Sequence, residues 1–132
     1  MALNFYPKKR MILECDFHDF KEPEITKKRP VVVISCSRAR PGLCIVVPIS
    51  RTPPQKLEAW HHPFSRASSW DRQKRWAKCD MIYTVSYDRL DRWKKGRDRR
   101  TGKRIYLSNF YISQEDFESI KAGMSAALGL KI

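Results

Sequence analysis

Close-spaced cysteines, a glycine-rich phosphate loop and long apolar runs are all missing from this chain. Its four cysteines, Cys15, Cys36, Cys44 and Cys79, stand far apart, which excludes the paired ligand spacing of a zinc ribbon. Cys15, Cys44 and Cys79 fall in apolar or strand-like stretches and read as small buried hydrophobes in a reducing compartment. The apolar triplet Met11-Ile12-Leu13 is broken at once by Glu14 and Asp16, so neither a signal peptide nor a spanning helix is expected, and a cytoplasmic location is. No paired carboxylates at helical spacing and no Ser-His-Asp pattern compete for chemistry. Nothing repeats, and only one segment is compositionally biased.

What is present is positive charge. Lys and Arg number 27 against 14 Asp and Glu, a formal +13 over 132 residues. That excess favours a polyanionic partner, either nucleic acid or an acidic protein. A membrane surface is not expected, because no basic amphipathic helix carries the charge. The length fits one domain, residues 1–132, with a single core.

Two short β-branched runs organise the rest. Val31-Val32-Val33-Ile34-Ser35 follows Lys28-Arg29-Pro30, and Leu43-Cys44-Ile45-Val46-Val47 is closed by Pro48. Both are too short for a typical helix and read as central, doubly buried strands. If they pair antiparallel, Arg29 at the start of one and Ser50 at the end of the other share an edge of the sheet.

Around them, residues 1–9 read as an arm and Arg10 to Phe17 as a first strand. A long polar loop, His18 to Lys28, follows. Arg51 to Lys56, with Pro53-Pro54, is a turn. Leu57 to Phe64 reads as an outer strand, Ser65 to Arg75 as a basic connection and Trp76 to Ile82 as another strand. Thr84 to Leu90 reads as a turn or short helical piece. Residues 92–104 hold eight Lys or Arg and one acid, Asp98, with Gly96 and Gly102, which predicts a hairpin tip or loop rather than a helix. Ile105-Tyr106-Leu107 is expected to re-enter the sheet. A helix is predicted over 113–128: Ser113 as N-cap, Glu115 and Asp116 in the first turn, then Phe117, Ile120, Met124 and Leu128, with Gly129 as the stop. One amphipathic helix on a small twisted sheet gives an α+β, mainly β, small-barrel architecture.

The segments Lys28 to Ser35, Gly42 to Ser50 and Lys78-Cys79-Asp80-Met81, in this order before a terminal helix, resemble the PemK/MazF family of bacterial toxins. The resemblance runs from about Ile12 through the helix. It implies an SH3-like barrel, a homodimer, an antitoxin protein as partner, and cleavage of single-stranded RNA without a metal or other cofactor. Arg29 matches the family's catalytic arginine, and Ser50 falls where many members carry a catalytic threonine. Asp80, after Lys78 and Cys79, matches the Arg-Cys-Asp of the Kid branch, whose aspartate and arginine serve catalysis, so the resemblance implies that Asp80 with Lys78 completes the catalytic site; Glu24 falls on the family's loop glutamate. This chain departs from the pattern at Lys9-Arg10, in place of a Gly-Asp or Gly-Glu opening, at Pro23, where some members have a histidine, and at Lys78, which lacks an arginine's fork.

Cleaving RNA through its 2′-hydroxyl needs that group deprotonated, the phosphorane's charge stabilised and the leaving oxygen protonated. Arg29 suits the second task and Ser50 can donate to the same phosphate. Asp80, His61 and His62 are candidate bases, set against a turn-bonding role for Asp80 and surface strand positions for the histidines. For RNA binding the candidates are Glu24, Lys28, Arg38, Arg51, His61, His62, Trp70 and Arg75, with Arg40, Lys56, Arg66, Arg72 and Lys74 nearby. Bases would stack on exposed tryptophan; Trp70 is expected to serve and Trp76 to pack in the core. The basic segment 92–104 would hold RNA backbone, dock an acidic antitoxin segment or stay solvated. A non-catalytic binder on the same barrel, as the related gyrase poisons are, is the alternative.

Overall fold

The computed structural model describes residues 3, 5–37, 39–65, 67, 69–106 and 110–130. Strands run β1 (Ile12–Asp16), β2 (Lys28–Cys36), β3 (Leu43–Ser50), β4 (His61–Phe64), β5 (Arg75–Lys78), β6 (Tyr83–Ser86) and, after a single 3₁₀ turn at Tyr87–Arg89, β7 (Leu90–Asp91). A hairpin of β8 (Lys94–Arg97) and β9 (Arg104–Tyr106) precedes helix α1 (Gln114–Leu128).

The pairing is antiparallel throughout, in the order β4-β5-β3-β2-β1-β7. β3 bends the sheet by changing neighbours along its length: Leu43 to Val46 pair with β6, whereas Ile49 and Ser50 pair with β5. The result is a curled sheet in the class of the small barrel, but an open one, since β4 and β7 end the path unpaired with each other.

β2 and β3 are buried on both faces. Val31 and Val33 join Leu13, Cys15, Phe17 and Val46 in one cluster, while Val32 and Ile34 join Val47, Ile49 and the helix residues Phe117 and Ile120 in the other. Strand alternation sends successive side chains to opposite faces, so an unbroken apolar run is what a strand between two cores requires. The N-terminal arm closes the first cluster through buried Leu3.

Helix α1 forms as its sequence predicts. The Ser113 hydroxyl accepts from the Asp116 N–H, and Gly129 takes the left-handed conformation at φ 71°. Its apolar stripe covers the second cluster, and Asp116 reaches His62 Nε2 at 2.8 Å.

Several expected boundaries are corrected. Leu57 to Trp60 is not strand: a turn bond from His61 N–H to the Glu58 carbonyl delays β4 until His61. Thr84 to Ser86 is strand, held by β3, and only Tyr87–Arg89 is helical. The basic segment does form a hairpin, but Ile105 and Tyr106 pair only with β8 and do not rejoin the main sheet; Leu107 lies outside the described residues.

Gly123 is where the helix meets the sheet most closely. A Cβ there would lie 3.1 Å from both Cβ and Sγ of Cys79 and 3.4 Å from the Trp60 backbone. Cys79 is fully buried and its N–H is bonded to the Trp60 carbonyl at 2.8 Å, so it has little room to yield. Gly123→Ala gains about 1 kcal/mol of helix propensity but overpacks this contact at a cost of about 1–3 kcal/mol. We expect net destabilisation, read as a lower urea midpoint with an unchanged slope; a rise in midpoint would show that the helix can shift away.

Candidate functional site

The β2–β3 ladder pairs Val33 with Val46, Val32 with Val47 and Val31 with Pro48. Continued two residues outward, this register sets Arg29 opposite Ser50. Both line a cleft of about 500 Å³, with Lys28 and Pro30 from β2, Ile49 from β3, Arg51 and Thr52 from the following turn, Asp71 and Arg75 before and at the start of β5, and Trp93 and Lys94 at the root of the hairpin. Five cationic side chains thus face one carboxylate.

Arg29 is exposed, and its Nη1 donates to the carbonyl of neighbouring Lys28, at 3.0 Å. The Ser50 hydroxyl accepts from the Thr52 N–H at 3.0 Å. That bond orients the oxygen and leaves its proton to donate.

Arg75 is built in far more firmly. Its side chain is only 5% exposed. Nη2 and Nε donate to the two carboxylate oxygens of Asp71 at 2.6 and 3.3 Å, a bidentate fork. The guanidinium carbon lies 4.5 Å from the Trp70 ring centre and 5.6 Å from that of Trp93. Asp71 also accepts from the Ser69 hydroxyl and the Gln73 N–H. Burial alone would raise the Asp71 carboxyl, but the hydrogen bonds from Arg75, Ser69 and Gln73 prevail and hold it below its ordinary value.

A second groove, of about 530 Å³, shares Arg51 and Thr52 with the cleft and continues over Pro53, Gln73, Lys74 and Trp76. Here Trp76 is half-buried and Lys74 Nζ lies 5.8 Å from its ring centre. This reverses the expected roles of two tryptophans. Trp70 is 9% exposed, within the helix-side core, and cannot offer a face to a base. Trp76 offers one, because alternation along β5 turns Ala77 and Cys79 inward and Trp76 outward.

The remaining predicted residues lie elsewhere. Lys78 and Asp80 do not line the cleft: Lys78 pairs with His61 at the far end of β5, and Asp80 is exposed in the next turn. Glu24 folds back on its own loop, accepting from the Lys21 N–H at 2.9 Å. His61 Nδ1 accepts from the Glu58 N–H, and His62 docks the helix through Asp116, so neither imidazole reaches the cleft. Arg38 and Arg66 lie outside the described residues. Asp71 was not anticipated, and an Asp four residues before Arg75 was the available signal for it; Trp93 and Lys94 belong to the basic segment 92–104, whose root proves to line the cleft.

The three fully buried thiols are inert. Burial pushes Cys15, Cys44 and Cys79 up to about 12, leaving essentially no thiolate at neutral pH. Among the described residues no three His, Cys, Asp or Glu form a metal-binding group, and no helix is long and apolar enough to cross a membrane.

The family model for the PemK-like, MazF-like toxins of type II toxin-antitoxin systems matches residues 8–123. The chain belongs to this family. It is 36% identical to the uncharacterized protein YifN of Escherichia coli (strain K12), over 70% of this chain and 76% of that one. The fold is shared with MazF from Deinococcus radiodurans, at TM-score 0.68 and 12% identity, covering 96% of this chain and all of that one. It is shared also with a mycobacterial endoribonuclease solved in complex with its cognate antitoxin, at TM-score 0.64 and 16% identity, covering 96% and 99%. In this PemK-like chain the shared fold of curled sheet and helix carries a cleft floored by the Asp71–Arg75 clamp.

Replacing Asp71 with Asn leaves a buried guanidinium without its counter-charge. Breaking a buried pair costs about 3–5 kcal/mol; with Asp71 partly exposed we expect about 2–3 kcal/mol at pH 7. The sign follows from the depressed carboxyl: its contribution is complete above the unfolded value of 3.8 and is lost as pH falls through the lower folded value. Urea melts should show a wild-type advantage that is level from pH 7 to 5 and closes only in stronger acid. An advantage that shrinks between pH 7 and 5 would contradict the assignment.

Proposed function

We propose that this chain is an endoribonuclease toxin of a type II toxin-antitoxin pair that cleaves single-stranded RNA by attack of the 2′-hydroxyl, leaving a 2′,3′-cyclic phosphate and a 5′-hydroxyl, without a metal. The observation that carries the reading is that Arg29 and Ser50 both line one open cationic cleft at the end of the β2–β3 ladder. Arg29 binds two phosphate oxygens through its planar fork and takes up the charge that grows on the phosphorane. Ser50 donates to the same phosphate, the Arg75–Asp71 pair forms the floor beside it, solvent hydroxide takes the 2′-proton, and water protonates the departing 5′-oxygen. Lys28, Arg51 and Lys94 hold the flanking backbone, and Trp76 stacks a base along the adjoining groove. Lys78 and Asp80 lie outside this cleft and take no part in the step at the phosphate. The chain works as a homodimer and is held in check by an acidic antitoxin protein, as the antitoxin complexes of its structural relatives support.

One observation favours a second reading, a nucleic-acid-binding protein without turnover. Among the described residues the one carboxylate in the cleft has both oxygens engaged by Arg75 and no imidazole enters it, so none of those side chains is placed to take the 2′-proton.

Purified protein should cut RNA in EDTA. Arg29→Ala should abolish cutting with the thermal melt unchanged, and Ser50→Ala should lower the rate about 10²- to 10³-fold, the usual effect of losing one oxyanion donor, while Ser50→Thr retains it. Because Asp71 is ionised well below neutrality and no imidazole titrates in the cleft, the rate should climb steadily from pH 6 to 8 without a bell. RNA left intact after long incubation, with steeply salt-dependent binding, would select the second reading.

A further inference from the structure

The β8–β9 ribbon carries a dense run of charge; Lys94 at its root pairs with Glu14 at 3.8 Å, whereas its tip takes part in no ion pair among the described residues. Arg97, Arg99, Arg100, Lys103 and Arg104 are all exposed, and none of them forms an ion pair among the described residues. A free two-stranded ribbon is marginal in water, and like charges along it repel. Yet this one is locally well built. The Asp98 carboxylate accepts from the N–H groups of Arg100 and Thr101, Gly102 turns at φ 69°, and Arg97 Nη1 donates to the Gly102 carbonyl at 2.9 Å. At the other end Arg92 packs on the Tyr106 ring, 4.3 Å from its centre.

The root of the ribbon is part of the cleft. Lys94, its first strand residue, lines the cavity. The preceding Trp93 lies 5.6 Å from the Arg75 guanidinium and packs edge-on against Trp70 at 6.1 Å. The ribbon is thus fastened to the same clamp that orients Arg75, and its strands extend about 13 Å beyond it. A partner that only docked on the charged tip would need no such registration with the cavity floor.

We infer that the β8–β9 ribbon is a second RNA-binding arm, which takes hold of the phosphate backbone where a strand leaves the cleft and so lengthens the footprint beyond it. This rests on the reading of the cleft as a site for single-stranded RNA. The ligand is recognised by its phosphates rather than its bases, since the exposed tip offers cations and only one exposed large apolar side chain, Ile105. An acidic protein segment is the competing occupant. It is disfavoured because the arm's anchoring to the cavity serves only a ligand that occupies both.

The test uses the full chain with Arg99, Arg100, Lys103 and Arg104 changed together to Gln. All four are exposed and outside the cleft, and the bonds to Asp98 come from backbone N–H groups, so the hairpin turn is retained. Single strands of about five and about twenty nucleotides bracket the span of one small binding domain. Uncleavable 2′-deoxy strands report binding whether or not the protein cuts RNA. The variant should bind the long strand about tenfold or more weakly, with a log-affinity against log-salt slope shallower by about 2–3, and bind the short strand as wild type does. The KM for cleaving long RNA should rise with kcat unchanged. Equal loss on both lengths, loss on neither, or loss of polyglutamate binding with RNA binding intact would each overturn the arm. Failure of the wild type to cut any RNA, with the length-dependent binding preserved, would sink the nuclease reading alone.

Discussion

The antiparallel ladder between β2 and β3 is the constraint from which the site follows. Each strand lies between two apolar clusters, and a slip of one residue would turn every side chain to the wrong core. The register is therefore held by the burial of the whole Val-rich run, each side chain contributing about 1.5–3 kcal/mol. Arg29 and Ser50 sit at the end of that run, past Pro30 and Pro48, and inherit their opposition from it. Neither needs a bond to the other to stay in place.

Charge sets the second constraint. Five cations around one cavity repel each other, and a cleft that depended on flexible side chains alone would splay them outward into water. Arg75 is the exception that makes the rest tolerable: Asp71 neutralises it, and Trp70 and Trp93 stack on it at an energy of about 0.5–2 kcal/mol each. The buried pair gives a fixed floor, while Lys28, Arg29 and Arg51 remain exposed and free to follow a ligand. Nearby, a smaller pit of about 140 Å³ sets Glu14, Asp16, Asp88 and Asp91 against Arg89 and Lys28, an excess of acid, with Lys28 at the border of both cavities. An anion approaching this face is turned away from the pit and toward the cleft.

The curled sheet, the helix and the meeting of Arg29 with Ser50 could be read from residue order, because β-branched runs bounded by proline and a capped 3.6-residue stripe are local signals. The tryptophans could not. Trp70 lies in a polar, basic connection, and only the tertiary packing of Trp93, Phe110 and Arg75 around it makes it core. Trp76 looked inward beside Ala77 and Cys79, but those small side chains are the ones that β5 turns toward the helix, and Gly123 shows how little room is left there. The hairpin's independence from the main sheet was hidden for a related reason: Ile105 and Tyr106 have strand composition, and composition does not say which strand is the partner.

These same facts bear on how such a cleft would cleave RNA on the proposed reading. With no imidazole at hand and Asp71 committed to Arg75, transition-state stabilisation must supply most of the effect. One well-placed donor is worth about 2.7–4 kcal/mol, so Arg29 and Ser50 together reach about 5–8 kcal/mol, or about four to six orders of magnitude in rate. That yield holds only where water is kept from the phosphate, and this cleft is open. Its gain therefore depends on a bound strand filling it, with a base against Trp76 on one side and the backbone drawn along the ribbon on the other. Substrate length then becomes part of the chemistry, because a strand too short to engage both flanks leaves its own scissile phosphate wet.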